Sequence, residues 1–398
     1  MRGRPALAVS TLACVAALVA LPGALAGPAA DPGIGPGSIL LGATAPLSGA
    51  STDAAAVAVG ARAYFAHVNA RGGVAGRRIE YTIADDAGDP AQALDATRGL
   101  VEEEGVFAIV SAAGTEQGLA ARGYLNSAKV PQLFTVSGAA TWGRDRRTFP
   151  WSIGFQPSSQ TEGWIYGRYV ARVLRNAKVA VLHQDDVQGS DLLRGLRRGL
   201  AGSGARVVAV QPFEPTASTV QPEVARLRAA GAGVLAIFAT PSSAARAYAA
   251  LRRLRWKPQV VVNGPATPSA GAPPGGAISL AFLKDTSDPQ WRDDPGMRLY
   301  RSILRRYARG ANVRDVQHVH GMAVAYETAL LFGRLGAMPT RAKLMARVRS
   351  ITSAGNPFLL PGVAVRTSRT DGFPIQQGRL QRFTKGRWVP FGGLWSEG

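Results

Sequence analysis

From residue 38 onward, short apolar runs alternate with longer stretches of helical spacing. The run 38–43 is a first strand, followed by the loop Pro46-Leu47-Ser48-Gly49. From Ala54 the apolar positions Val57, Ala61, Tyr64, Phe65 and Val68 fall on one helical stripe, which ends in the glycine signal of 69–73. Residues 79–84 form the next strand, and Asp89, Pro90 and Gln92 spell a capping box for a helix to about residue 104. The same alternation predicts strands at 107–110, 133–136, 178–183, 206–210, 234–238 and 259–263, and a crossover strand at 149–156. Helices are expected from Thr115 and at 161–174, 190–200, 219–230 and 241–254, with a loop at 185–189. Each unit runs for roughly thirty residues, the period of βαβ units in a parallel sheet. A Pro/Gly/Ala connector at 267–276 separates this region from helices at 291–309, 316–335 and 341–348. The tail changes to short alternating pieces around a Lys385-Gly386 turn, an antiparallel hairpin pattern. Two βα runs of similar length point to two similar lobes.

The stretch 107–138 carries the candidate chemistry. It reads strand, loop, helix, strand, loop, so two adjacent strand ends present Gly114-Thr115 and Val136-Ser137-Gly138 to one place. Open α/β sheets bind ligands outside the carboxyl ends of their strands. Thr115 opens a helix, where free amides and the dipole favour an anion. The expectation is a carboxylate-sized binding site without catalysis; the bland alternative is that Thr115 only caps its helix.

The 398 residues, 46% hydrophobic and 18% charged, describe a globular chain of two or three domains. Residues 1–26 read as a signal peptide: Arg2 and Arg4, an apolar run over 6–21, then the cleavage site Ala24-Leu25-Ala26. Cys14 offers a second reading, a lipid anchor. Residues 27–37 are a Pro/Gly linker. Export to the periplasm or the exterior follows, with the chain soluble or tethered at its start. Cys14 is the sole cysteine, so the mature chain holds no disulfide and no cysteine metal site. The formal charge of +20 raises nucleic acid as a partner. Scattered arginines without interleaved stacking aromatics argue against it.

No nucleophile elbow, phosphate loop or H-E-x-x-H motif is present. Among the four histidines, His183 follows a strand and can face a cleft or be buried structure, and His67 lies within a predicted helix. His318 and His320 stand two apart and cannot share a metal from one helix. Asp85-Asp86 reads as turn and cap chemistry, because the glycine and glutamate of a calcium loop are misplaced. Asp185-Asp186 is the acid pair better placed to approach the cleft. The reading is a binder, not an enzyme, without cofactor or metal.

The pieces ILLGATAPLSG, NARGGVAGRRIEYTIADDAGDPAQA, VFAIVSAAGTEQGLA and VPQLFTVSG, followed by AKVAVLHQDDVQGSDLLRGLRRGL, GVLAIFATPSSAARAY and NPFLLPGVAVRT, resemble the type I periplasmic binding proteins in their order and spacing. The nearest subgroup is the leucine/isoleucine/valine-binding protein family of ABC importers. That resemblance implies two Rossmann-like lobes joined by three crossover strands, with a ligand cleft between them. It puts 38–156 and 277–357 in lobe 1, and 157–276 and 358–398 in lobe 2. It implies a monomer that closes by hinge motion on a small carboxylate-bearing or polar, amino-acid-like metabolite and delivers it to an ABC permease/ATPase complex. The family's carboxylate-binding hydroxyl falls on Thr115, preceded by Gly114. The backbone and hydroxyl after the next strand fall on Val136, Ser137 and Gly138, and Ser48 lies at the mouth of the same lobe.

Lobe 2 departs from the family pattern. An aromatic position falls near Val187-Gln188, and no carboxylate occurs in Asn263-Gly264-Pro265-Ala266, where amino-acid binders place one. A buried ligand ammonium would then lack its partner, at a cost of several kcal/mol. Gln188 and Thr240 remain as polar candidates from this side. A sensor ectodomain of the same fold and an amidase-like hydrolase are the competing functions.

Overall fold

The computed structural model describes residues 31–49, 52–267 and 271–397; the leader and the Cys14 reading lie outside these residues. In chain order the first body holds β1 (Ser38–Ala45), α1 (Ala55–Asn69), β2 (Arg78–Asp85), α2 (Pro90–Arg98), β3 (Ala108–Val110), α3 (Thr115–Ser127), β4 (Gln132–Thr135), α4 (Thr141–Arg144) and β5 (Ser152–Gly154). The chain then passes to α5 (Ser159–Val173), β6 (Lys178–Gln184), α6 (Val187–Leu200), β7 (Arg206–Phe213), α7 (Gln221–Ala229), β8 (Val234–Phe238), α8 (Pro241–Arg253), β9 (Gln259–Val262) and β10 (Ile278–Ala281). It returns through α9 (Pro295–Tyr307), α10 (Val316–Gly333), α11 (Arg341–Val348), β11 (Thr352–Ser353) and β12 (Val365–Arg366), and ends in β13 (Gln377–Thr384) and β14 (Arg387–Ser396).

The first sheet has the order β2-β1-β3-β4-β5 and is parallel throughout. The second reads β14-β13-β10-β9-β8-β6-β7. Its parallel part, β7-β6-β8-β9-β10, repeats the order of the first sheet strand for strand, so the chain folds the same doubly wound unit twice. Strand order reverses between β1 and β3 in one unit and between β6 and β8 in the other. Doubly wound sheets hold ligands at such reversal points. The hairpin β13–β14 joins antiparallel to β10 and turns at Lys385 and Gly386, both at positive φ, as the tail pattern predicts.

Two expected boundaries move. Strand 278–281, expected in lobe 1, pairs with β9 and β13 in the second sheet, so the return crossing lies at about Ala281-Phe282. Residues 358–375, expected in lobe 2, pack on the first body. Phe358, Leu359, Leu360, Val363, Val365 and Ile375 join its apolar core, and Lys284 N donates to Phe358 O. The last crossing falls just before β13. Apolar burial moved both boundaries: the residues that dock, 278–281 and 358–365, are short hydrophobic runs, and such a run carries no mark of which core receives it.

Helix ends follow local chemistry. Asp89 accepts the Gln92 amide at 2.9 Å at the start of α2. Asp186 caps α6 by accepting from Gly189 N, so that helix begins at Val187, earlier than expected, and Gln188 stands in its first turn instead of in a loop. Helices α5 and α6 approach glycine to carbonyl. A Cβ on Gly163 would lie 2.2 Å from Leu192 O, and one on Gly195 would lie 2.1 Å from Gln160 O. Gly167 and Gly199, one turn on, repeat the contact.

Candidate functional site: the cleft between the two bodies

A cavity of about 270 Å³ lies between the bodies. That is the share of liquid occupied by about nine waters, which suits a metabolite of amino-acid size. Its walls come from both reversal points: Ala113 and Gly114 after β3, Asp186 and Gln188 after β6, Ala239 and Thr240 after β8. Leu192, Phe238, Leu280, Phe282 and Trp388 make most of the remaining surface apolar.

Gly114 is the N-cap of α3 at φ +104°, a backbone region open to glycine. Thr115 is therefore the first helical residue, and its hydroxyl makes no capping bond. Instead Thr115 Oγ1 lies 2.7 Å from Ser137 Oγ, and Ser137 Oγ accepts the Ala139 amide. The two predicted turns meet, as the strand pairing Ala113↔Val136 requires. From the second body, Gln188 Oε1 accepts from Thr115 Oγ1 at 3.4 Å. The Val187 amide donates to Glu116.

The other candidates separate into two groups. Gly114, Val136, Gln188 and Thr240 line the cavity. Gly138 lies buried behind it: a Cβ there would fall 2.7 Å from Gln156 Nε2. Thr115 and Ser137 are not among the cavity's walls; they directly follow the wall residues Gly114 and Val136, with their hydroxyls turned on one another. Ser48 is exposed on a loop held by Asp85, whose Oδ1 accepts from the Leu47, Ser48 and Ala87 amides. The Ser48 side chain is therefore not among the cavity walls. Thr240 begins α8 without a side-chain cap, and its amide donates to Gln184 Oε1. His183 is buried with Nδ1 against Gln184 O, away from the cavity lining.

Three charged side chains line the cavity: Asp186, Asp285 and Arg314. Asp186 spends one oxygen on the α6 cap and the other on Gln184 Nε2, and burial raises its pKa. Asp285 accepts from the Ser287 amide and hydroxyl, and burial raises it too. His320 lines the cavity; burial pushes its pKa down to about 4, and its Nε2 lies 3.3 Å from Phe155 O. Around the turn that lacks the family's acid, Asn263 Oδ1 accepts the Ala239 amide. A carboxylate stands behind this turn: buried Glu162 of α5 accepts from Gly264 N at 2.6 Å and from Tyr166 OH at 2.7 Å. Burial raises the Glu162 pKa to about 7. Its Oε1 is committed to the backbone of the wall.

Sequence reasoning missed Gln156, Gln184, His320, Gln381 and Trp388, all at the cavity wall. The one signal available was Gln381, a polar residue at an inward position of an otherwise alternating strand. No cluster of three or more metal-ligating side chains occurs among the described residues. None of the described helices is long and apolar enough to cross a membrane.

A family model described as periplasmic binding protein matches residues 38–387. An amino acid binding protein of Pseudomonas aeruginosa is 26% identical over 168 residues, 42% of this chain and 44% of that one. The chain thus matches about half the length of its curated relatives. The fold is similar to that of a fatty acid ABC transporter substrate-binding protein from Thermomonospora curvata, at TM-score 0.80 and 19% identity, covering 93% of this chain and 95% of that one. It is also similar to a branched chain amino acid ABC transporter protein from Thermus thermophilus with bound valine, at TM-score 0.77 and 17% identity over 91% and 97% of the two chains. With its doubled reversal-point architecture and the match across both bodies, the chain belongs to the type I periplasmic binding proteins, in the leucine/isoleucine/valine-binding family.

Proposed function

We propose that this protein captures one small carboxylate-bearing solute between its two bodies, outside the cytoplasm, and delivers it as a monomer to an ABC permease. The observation that carries this reading is the meeting of Thr115 and Ser137 from one body with Gln188 from the other at the cavity edge. A ligand carboxylate placed there takes over the hydroxyl bonds and receives the first amides of α3, which charge and dipole both favour. The body of the ligand then lies against Phe238, Leu280 and Phe282.

The similar structures include a fatty acid transporter's protein and one holding valine, so the fold takes an apolar acid as well as an amino acid. Here the Asn263–Pro265 turn offers no carboxylate, and Asp186 is committed to its helix cap. That favours an acid without an α-ammonium. Calorimetry with valine, leucine, benzoate, hexanoate and octanoate tests the reading. One of the unaminated acids should bind with unit stoichiometry and be recovered unchanged. Thr115→Ala should weaken it about tenfold or more at unaltered unliganded stability. Unchanged affinity in Thr115→Ala, or turnover of the ligand, overturns the proposal.

A further inference from the structure

Two glutamines remain unused by that reading, which this inference extends. Gln156 sits on the first crossing between the bodies, and Gln381 sits on β13, the strand that follows the last crossing. Both line the cavity. They are 8% and 4% exposed, and neither side chain has a hydrogen-bond partner among the described residues. The amide atoms of both are open to the cavity rather than sealed in the core. Two such amides at one cavity wall are positions that a ligand group can satisfy.

The surroundings define that group. Gly138 leaves room for the Gln156 amide, since any side chain there would collide with Nε2. The His320 ring stands beside this crossing, held next to Phe155 O and uncharged at neutral pH. Leu280, Phe282 and Trp388 are apolar members of the same wall. The two amides and this ring are neutral, Asp285 and Arg314 complete the wall with charges of opposite sign, and an amide both donates and accepts.

We propose that Gln156 and Gln381 form a second, uncharged pole of the site, which selects a carboxylate whose far end bears a neutral hydrogen-bonding group, an amide or a hydroxyl. An ammonium at that end is disfavoured, because neither amide supplies a counter-charge for it. A plain methyl end leaves both amides unmade.

The test is a matched series on butanoate, hexanoate and octanoate backbones, each ended in methyl, hydroxyl, primary amide or ammonium, titrated into the full chain. At the best-fitting length the amide or hydroxyl member should bind at least about tenfold more tightly than the ammonium member. Gln381→Met and Gln156→Met keep the side-chain volume and should erase that preference by weakening the amide and hydroxyl members and tightening the methyl-ended acid. Gln381→Glu should turn the preference toward the ammonium-ended member, which a merely structural glutamine would not do. Thermal melts confirm that each variant is folded. An ammonium-ended member that binds best to the unmodified protein, through Asp186 or Asp285, overturns the proposal. So does an unchanged preference in all three variants while Thr115→Ala still weakens binding; that result leaves the carboxylate end standing. Failure of every member to bind overturns both readings.

Discussion

Asp191 of α6 accepts the backbone amide of Ala140 at 2.8 Å, a bond that runs from the second body to the first. The carboxylate is nearly sealed from solvent and is shared with Gln160 Nε2 at 2.6 Å and Arg194 at 2.8 Å. Arg144 of the first body reaches Gln160 in turn. This small polar network fastens the bodies beside the crossing at Gln156, one turn of α6 beyond the Thr115–Gln188 contact. Hydrogen bonds to a buried charge are worth about 1.5–3 kcal/mol. Asp191→Ala should therefore lower stability by about 2 kcal/mol and enlarge the radius of gyration of the unliganded protein in solution scattering. Asp191→Asn keeps one acceptor and should fall between. Unaltered scattering in the alanine variant would show that the latch does not hold the closed form.

Stability should depend on pH through two buried groups of opposite sign. The Glu162 carboxyl is raised to about 7 from an ordinary value of 4.5, so its contribution is complete below 4.5 and lost as pH rises through 7. The His320 ring is lowered to about 4 from 6.5, so its contribution is complete above 6.5 and lost as pH falls through 4. Each amounts to roughly 3 kcal/mol. The two slopes cancel between about pH 4.5 and 6.5, so denaturant melts between pH 4 and 8.5 should show a flat, shallow maximum that each single change tilts. Glu162→Gln, which still accepts from Gly264 N and Tyr166 OH, should remove the alkaline decline. His320→Gln should remove the acid decline. A profile that neither change alters would contradict the assignment.

The glycine seam of α5 and α6 should respond to single methyl groups. Gly163→Ala and Gly195→Ala each drive a Cβ into a carbonyl of the facing helix, and such overpacking costs about 1–3 kcal/mol despite the gain in helix propensity. The double variant should cost less than the sum, because the first methyl already separates the helices. Gly123→Ala, in exposed α3 with open space around its Cβ, should instead stabilise by up to about 1 kcal/mol. Urea unfolding measures all four. Additive losses would mean that the helices bend locally instead of parting.

Much of this architecture is legible in one sequence, because it is written locally. The alternation of periods marks β1 to β9 and their helices; Asp89 and Pro90 announce α2, and Lys385-Gly386 announces the hairpin. The turns bearing Thr115 and Ser137 come from neighbouring units, so their meeting follows from strand order alone. The polar wall is another matter. Gln156, His320 and Gln381 lie far apart along the chain, and their approach depends on where the crossings fall. Residues 278–281 and 358–365 are short apolar runs that either core can accept. Ser48 looked like a binding hydroxyl because it follows a strand end, yet Asp85 ties down its loop.

The pairing of β10 with β13 also bears on the order of events during synthesis. Ile278 finds Arg382 across the ladder, and everything from α9 to β12 lies between them in the chain. The first body's sheet is complete once residue 154 has emerged, whereas one edge of the second stays open until the hairpin arrives. Closing so long a loop adds little entropy per further residue but delays the pairing. Maturation of this molecule therefore ends at the edge of its second sheet, and a ribosome stalled before residue 377 would display an uncovered β10.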